Sequence, residues 1–239
     1  MLKIENFTKR YGDITAVSDL SLHIAPGEIF GFIGHNGAGK TTTLKAAAGI
    51  LPYETGSITV GGIPMEKDPL AAKALMAYLP DNPDLYEFMS GEKYLHFIAD
   101  IYGVGEERND RIATLADAFR ITEALSRPIS TLSHGMKQKI AILSAFVHAP
   151  RLILMDEPFV GLDPSAAHTL KEMMREHCRA GGAIFFSTHV LDTAEKLCDR
   201  IAIIKGGRLL VSGRTEEVRG DASLEDVFLE LADSEKEDA

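Results

Sequence analysis

Apolar residues recur along this chain in two rhythms. Leu2, Ile4 and Phe7, then Ala16, Val17, Leu20, Leu22 and Ile24, are interleaved with polar residues up to a Pro26-Gly27 turn, which predicts strand-like structure over 1–33. EIFGFIG (28–34) is a short apolar strand that runs straight into a glycine-rich loop. KTTTLKAAAGIL then predicts a helix that stops near Gly49 and Pro52, and GSITVGG (56–62) a strand between glycines.

From about residue 88 to 150 the period lengthens. Tyr94, Phe97, Ile98, Ile101 and Tyr102 fall at helical spacing behind a capping Ser90, and Ile112, Leu115, Ala116 and Phe119 repeat the pattern, so this stretch reads as a helical lobe. Strands return with LILMD (152–156), AIFFS (183–187) and IAIIK (201–205), separated by a helix from about Ser165 to the Gly181-Gly182 stop and another ending near Asp199. Apolar strands alternating with helices predict an α/β fold with a mostly parallel sheet covered on both faces. A Gly206-Gly207 turn and LLVSG predict a closing hairpin.

With 239 residues and 45% hydrophobic content, the chain can bury a full core, as one domain or as a large domain with an inserted lobe. No apolar run reaches the roughly 18 residues a membrane span needs. The most apolar region, Ala141 to Met155, is broken by His148, Pro150 and Arg151. The start, MLKIENFTKRYG, has no apolar signal core, so a cytoplasmic protein is expected. A net charge of −10, from 25 basic and 35 acidic residues, argues against a nucleic-acid partner. Ten acids and three bases lie in 214–239, and 232–239 is expected to be a solvated acidic tail. Cys178 and Cys198 have neither CxxC nor metal-site spacing, so reduced structural thiols are expected.

GHNGAGKT (34–41) fits G-x-x-x-x-G-K-[ST] with a strand before it and a helix after it. Glycines there let backbone N–H groups surround phosphate oxygens, Lys40 supplies charge to the β and γ phosphates, and the Thr41 hydroxyl can ligate Mg²⁺. LILMDE delivers Asp156 and Glu157 at the carboxyl end of a buried strand, where open α/β sheets bind ligands. Asp156 is placed to hold Mg²⁺ through water and Glu157 to polarise the attacking water; an acid pair opening a helix before Pro158 is the alternative. STH (187–189) ends the next strand, so His189 can reach a γ-phosphate or cap the following helix. LSHGMKQK (132–139) reads as a second anion-receiving helix start or as an ordinary capped helix.

In this order the pieces resemble the ATP-binding subunit of ABC transporters, over about residues 2 to 231. RYG, GHNGAGKT, LSHGM, LILMDEP, GLD and STH match that family's adenine-stacking aromatic, Walker A loop, signature, Walker B strand, D-loop and switch histidine. The resemblance implies a P-loop NTPase core with an N-terminal antiparallel β subdomain and a helical subdomain inserted at about 82–150. It assigns ATP to Tyr11, Gly34, Asn36, Gly37, Ala38, Gly39, Lys40, Thr41 and Thr42, and catalysis to Glu157, His189 and Lys40. Mg²⁺ falls to Thr41 and Asp156, and to Asp81, which stands in YLPDNP where the family usually has Gln; a role as part of a Pro-flanked turn is equally compatible. Ser133 and Gly135 would contact the ATP of an opposite subunit, and Asp163 marks the D-loop.

The resemblance further implies a second ATPase subunit, identical or different, and an integral membrane permease docked through Asp81 to about Tyr102, holding the protein on the inner membrane face. SLEDVFLELA is similar to the end of ATPases paired with drug, antibiotic or peptide exporters, which favours export. A non-hydrolysing regulatory subunit remains an alternative, as does a soluble ABC protein. The DNA-repair type of the latter needs a coiled-coil insertion and the ribosomal type two cassettes, and 239 residues provide neither. No Asn opens the N-K-x-D that a GTPase requires.

Overall fold

The computed structural model describes residues 1–234. The chain opens with β1 (Leu2–Tyr11) and β2 (Ile14–Ile24), an antiparallel pair turned at Gly12-Asp13, where Gly12 has φ +57°. Glycine at the first central position suits such a two-residue turn, whose backbone is left-handed there. Most of the strand-like stretch read over 1–33, residues 2–24, is therefore a hairpin. β4 (Thr55–Val60) pairs with the other edge of β1, and β5 (Ile63–Pro64) completes a four-stranded antiparallel sheet.

The second sheet has six strands, in the order β10-β9-β3-β8-β7-β6: β3 (Ile29–Ile33), β6 (Met76–Leu79), β7 (Leu152–Asp156), β8 (Ala183–Thr188), β9 (Arg200–Lys205) and β10 (Arg208–Arg214). All neighbours are parallel except the β9–β10 hairpin. Parallel order sends the carboxyl ends of β6, β7, β8 and β3 to one edge. Side chains on these strands alternate between two cores. Ile33, Ile153, Met155 and Phe186 face one core with the helical lobe, whereas Phe32, Leu154 and Phe185 face the other, shared with α1 (Lys40–Ala47) and the antiparallel sheet. Burying each such side chain stabilises by roughly 1.5–3 kcal/mol.

Between β5 and β6 lies α2 (Pro69–Ala74), which the apolar pattern did not announce; Asp68 caps it by accepting from Ala71 N–H at 3.0 Å, and Pro69 opens it. Between β6 and β7 lie α3 (Gly91–Ile101), α4 (Arg108–Ala118) and α5 (His134–Phe146). Ser90 caps α3 as expected, accepting from Lys93 N–H at 3.3 Å. The helical stripe predicted on α3 divides: Tyr94 and Ile98 pack on the core beside buried Leu95 and Ala99, but Phe97, Ile101 and Tyr102 are exposed. Spacing registers a common face without saying how much of it is covered.

After β7 come α6 (Pro164–Arg179) and α7 (Leu191–Leu197), one on each side of β8 in sequence, and after β10 come α8 (Thr215–Arg219) and α9 (Leu224–Ser234). Both cysteines are buried free thiols, and burial raises both pKa values, Cys178 to about 12. Of the acidic tail expected over 232–239, only the backbone of the first three residues, which end α9, falls within the described structure. No helix among the described residues is long and apolar enough to cross a membrane.

Candidate active site

The glycine-rich loop connects β3 to α1. Gly34 lies so close to the end of β9 that a Cβ there would sit 2.5 Å from Ile204 O, and Gly39, at φ +107°, would place one 2.7 Å from Ala16 O. No other residue fits either position without moving backbone. Lys40 is the first residue of α1 and is buried; its Nζ donates to the carbonyls of Gly34 at 2.6 Å and His35 at 3.2 Å. The ammonium is thereby held within the loop that the N-terminus of α1 closes, where the helix dipole adds further positive potential.

β7 and β8 bring the acids to the same edge. In their register Asp156 lies opposite Ser187, and the fully buried Asp156 carboxyl accepts from the Ser187 hydroxyl through Oδ1 while Oδ2 has no partner. The Ser187 oxygen in turn accepts from Glu157 N–H at 3.0 Å. That bond holds Glu157 at φ +46°, a left-handed conformation costing about 1–3 kcal/mol for a residue with a side chain. Strain here aims the carboxylate back over the loop: Glu157 Oε1 lies 3.5 Å from Lys40 Nζ and 3.0 Å from His189 Nδ1. Oε1 is buried but makes no well-directed hydrogen bond in either contact, so its acceptor capacity stays available.

A cavity of about 360 Å³ gathers these groups; Asn36, Gly37, Gly39, Lys40, Thr41 and Thr42 line it from the loop, Asp156 and Glu157 from β7, and Asp81 from the turn after β6. The structure thus joins Asp81 to the other two residues expected at Mg²⁺, although its Oδ1 also accepts from Asn82 N–H at 2.9 Å, as a turn residue does. Tyr11 sits exposed at the tip of the β1–β2 hairpin under the Lys9 ammonium, 5.2 Å from the ring centre, and is outside the cavity lining, to which its hairpin contributes Ala16.

Ser133 and Gly135 are likewise outside that lining. Ser133 is exposed and caps α5, accepting from Met136 N–H at 3.4 Å. The start of α5 rests on the D-loop: a Cβ on Gly135 would come within 3.0 Å of Gly161 O, and Lys139 pairs with Asp163 at 3.0 Å. Asp163 caps α6 through Ala166 N–H, and that bond, followed by Lys139, holds its carboxyl below the usual range. Sequence reasoning passed over three participants. Ser187 stands inside the STH motif but was given no task; Lys139 follows the signature; and Phe228 of α9 meets His35 of the phosphate loop edge-on at 4.8 Å. Each lies in or beside a stretch the sequence analysis singled out, Phe228 within SLEDVFLELA, but nothing local tied Phe228 to the phosphate loop.

The family model described as ABC transporter matches residues 17–160. The chain is 36% identical to the ABC-type transporter ATP-binding protein EcsA of Bacillus subtilis, covering all of this chain and 98% of that one. It is 32% identical to the Nod factor export ATP-binding protein I of Rhizobium etli, covering 91% of this chain and 69% of the other. A solved structure described as an ATP binding subunit of ABC transporter superposes with a TM-score of 0.93 at 36% identity, over 97% of this chain and 99% of that one. A phosphate-loop ATPase fold with its acids, histidine and lysine at one sheet edge and the start of the signature helix open to solvent defines an ATP-driven cassette. The chain belongs to the ABC transporter family, as one of its ATP-binding, ATP-hydrolysing subunits.

Proposed function

We propose that the chain powers export through a separate membrane permease, as one half of a head-to-tail ATPase pair that closes around ATP. The observation that carries this reading is the helix start with exposed Ser133 and half-buried Gly135, outside the cavity of its own phosphate loop. An anion-receiving device that cannot serve its own nucleotide suits one held by a second copy or a related subunit. Its contacts then exist only with a triphosphate and a neighbour together, and hydrolysis to ADP removes them and opens the pair.

Gly34, Asn36, Gly37, Ala38, Gly39, Lys40, Thr41 and Thr42 hold the phosphates, and Tyr11 stacks on adenine. Glu157 Oε1 takes the proton of a water that attacks the γ-phosphorus; the bond to the β-γ bridging oxygen breaks, leaving ADP and phosphate. His189, whose Nδ1 lies 3.0 Å from Glu157 Oε1, orients the carboxylate, and Lys40 offsets charge on the phosphates. Thr41, Asp156 and Asp81 would hold Mg²⁺, whose positive charge supports the leaving diphosphate. The buried Asp156 Oδ2 without a partner fits that task.

The segment at about 82–150 is proposed as the helical subdomain through which the permease docks, placing the protein on the inner membrane face. Its support is an aromatic surface: Phe88 is 84% exposed and stacks on Tyr86, which also meets Phe97 at 5.6 Å, with Ile101 and Tyr102 exposed nearby in sequence. Contiguous apolar surface of this kind marks partner sites. Export rests on the relative named for Nod factor export.

Glu157→Gln tests the core of the reading. ATP binding is expected to persist while turnover falls about 10²–10⁴-fold, and light scattering is expected to show a pair with ATP and a single copy with ADP. Unchanged turnover removes Glu157 from the mechanism; one mass with either nucleotide removes the paired arrangement.

A further inference from the structure

At the other edge of the six-stranded sheet from the phosphate loop, where β3 and β9 begin, α6, α7 and α8 border a cavity of about 920 Å³. Six cationic residues line it, Arg175, Arg179, Lys196, Arg200, Arg214 and Arg219, in a chain whose net charge is −10. Arg200 and Arg214 lie directly opposite each other across the β9–β10 pair, a placement of like charges that destabilises a sheet unless an anion offsets it. Arg200 Nε is buried and has no hydrogen-bond partner. Arg175, Lys196 and Arg219 have carboxylate partners, in Glu172, Asp192 and Glu195. Among the described residues no ion pair engages Arg179, Arg200 or Arg214. Three of the four carboxylates on the wall already accept backbone N–H groups: Glu28 from Ala25, Asp199 from Ile29 and Glu195 from Leu224, at 2.7, 2.8 and 2.9 Å. Six cations thus face four carboxylates on the wall, and three of the guanidinium groups have no carboxylate partner among the described residues.

We propose that this cavity is a binding site for a small phosphorylated metabolite, its phosphate or diphosphate gripped by Arg179, Arg200 and Arg214. Guanidinium forks match phosphate oxygens two at a time, and the volume is in the range of small-molecule sites. The site is separate from the nucleotide at the phosphate loop and does not depend on how that nucleotide is hydrolysed. Its walls are nevertheless the far ends of elements that carry the phosphate loop, the D-loop and the switch histidine, so an occupant touches the ATPase from behind.

The probe is inorganic pyrophosphate, titrated calorimetrically into the full chain in magnesium-free buffer with the phosphate loop saturated by ADP. Saturable one-site binding is expected, weakened at least about tenfold in Arg179→Gln and in Arg214→Gln, the loss of one charge-assisted contact each. Both side chains are exposed, so both variants should melt with the wild type, and ADP affinity is expected to stay the same. No saturable binding up to about 10 mM, a free energy too small for a built site, or equal binding by both variants, overturns the proposal. Tighter binding of a glutamate octapeptide, lost in the same variants, also overturns it and makes the occupant a protein segment.

Discussion

Ser187→Ala isolates the clamp that joins β7 to β8 at the end that carries Asp156, Glu157 and His189. The hydroxyl donates to Asp156 and accepts from Glu157 N–H, and Ser187 is fully buried, so no water replaces it. A hydrogen bond to a carboxylate contributes about 1.5–3 kcal/mol and a neutral one about 0.5–1.5 kcal/mol, and a buried group left without its partner bears the full loss. About 3 kcal/mol of destabilisation follows, which for a chain of this length lowers Tm by about 6–12 °C. Releasing Glu157 from its left-handed backbone also frees the carboxylate to swing away from Lys40 and His189, so turnover should fall more steeply than ATP affinity. Scanning fluorimetry and a phosphate-release assay read the two effects. Thr169→Ala is the control: that hydroxyl bonds locally to Ser165 O at 3.1 Å on an exposed helix face, and its loss should stay within about 0.5 kcal/mol. A Tm for Ser187→Ala within about 1 °C of the wild type refutes the clamp, because no buried pair of bonds is that cheap to lose.

Gly39→Ala should abolish ATP binding in an equilibrium nucleotide assay, since both the positive φ and the approach to Ala16 O oppose any Cβ. Retained affinity would show that the loop can shift. Phe88→Asp should leave the ATPase of the isolated subunit and its Tm unchanged while permease recovery in mild detergent is lost; equal recovery would place the docking surface elsewhere. Burial lowers the pKa values of His148 and His177 from their ordinary 6.5, so the unfolded state binds more protons in that range. Their stabilising contribution is complete above about pH 6.5 and is withdrawn as pH falls through the lowered folded values. His148→Phe, which keeps an aromatic ring to stack on Tyr102, should flatten the fall in Tm between about pH 7 and 5. An unaltered slope would assign the acid sensitivity to other groups.

How much was legible varied with the range of the interaction. Uninterrupted apolar runs at 152–155, 183–186 and 201–204 are too short for helices and read as strands covered on both faces, and all three lie in strands. The loop at 34–41 is local too, because its spacing of glycines and lysine fixes its shape wherever the strand before it lies. Ala71 and Asp68 illustrate what was missed for weakness of signal: the helix they open is six residues long and has a single buried residue, Ala72.

The sequence by itself determined the phosphate loop, the strands and helices around it, and the list of acids and histidine able to act on a triphosphate, because each follows from residue types within a few positions of one another. Tertiary structure alone decided which of them meet. Ser187 clamps Asp156 from 31 residues away, Phe228 braces His35 from the far end of the chain, and two arginines face each other across a hairpin at a cavity no motif marks. These depend on strand order and register, which arise from the whole core's packing and are written in no local pattern.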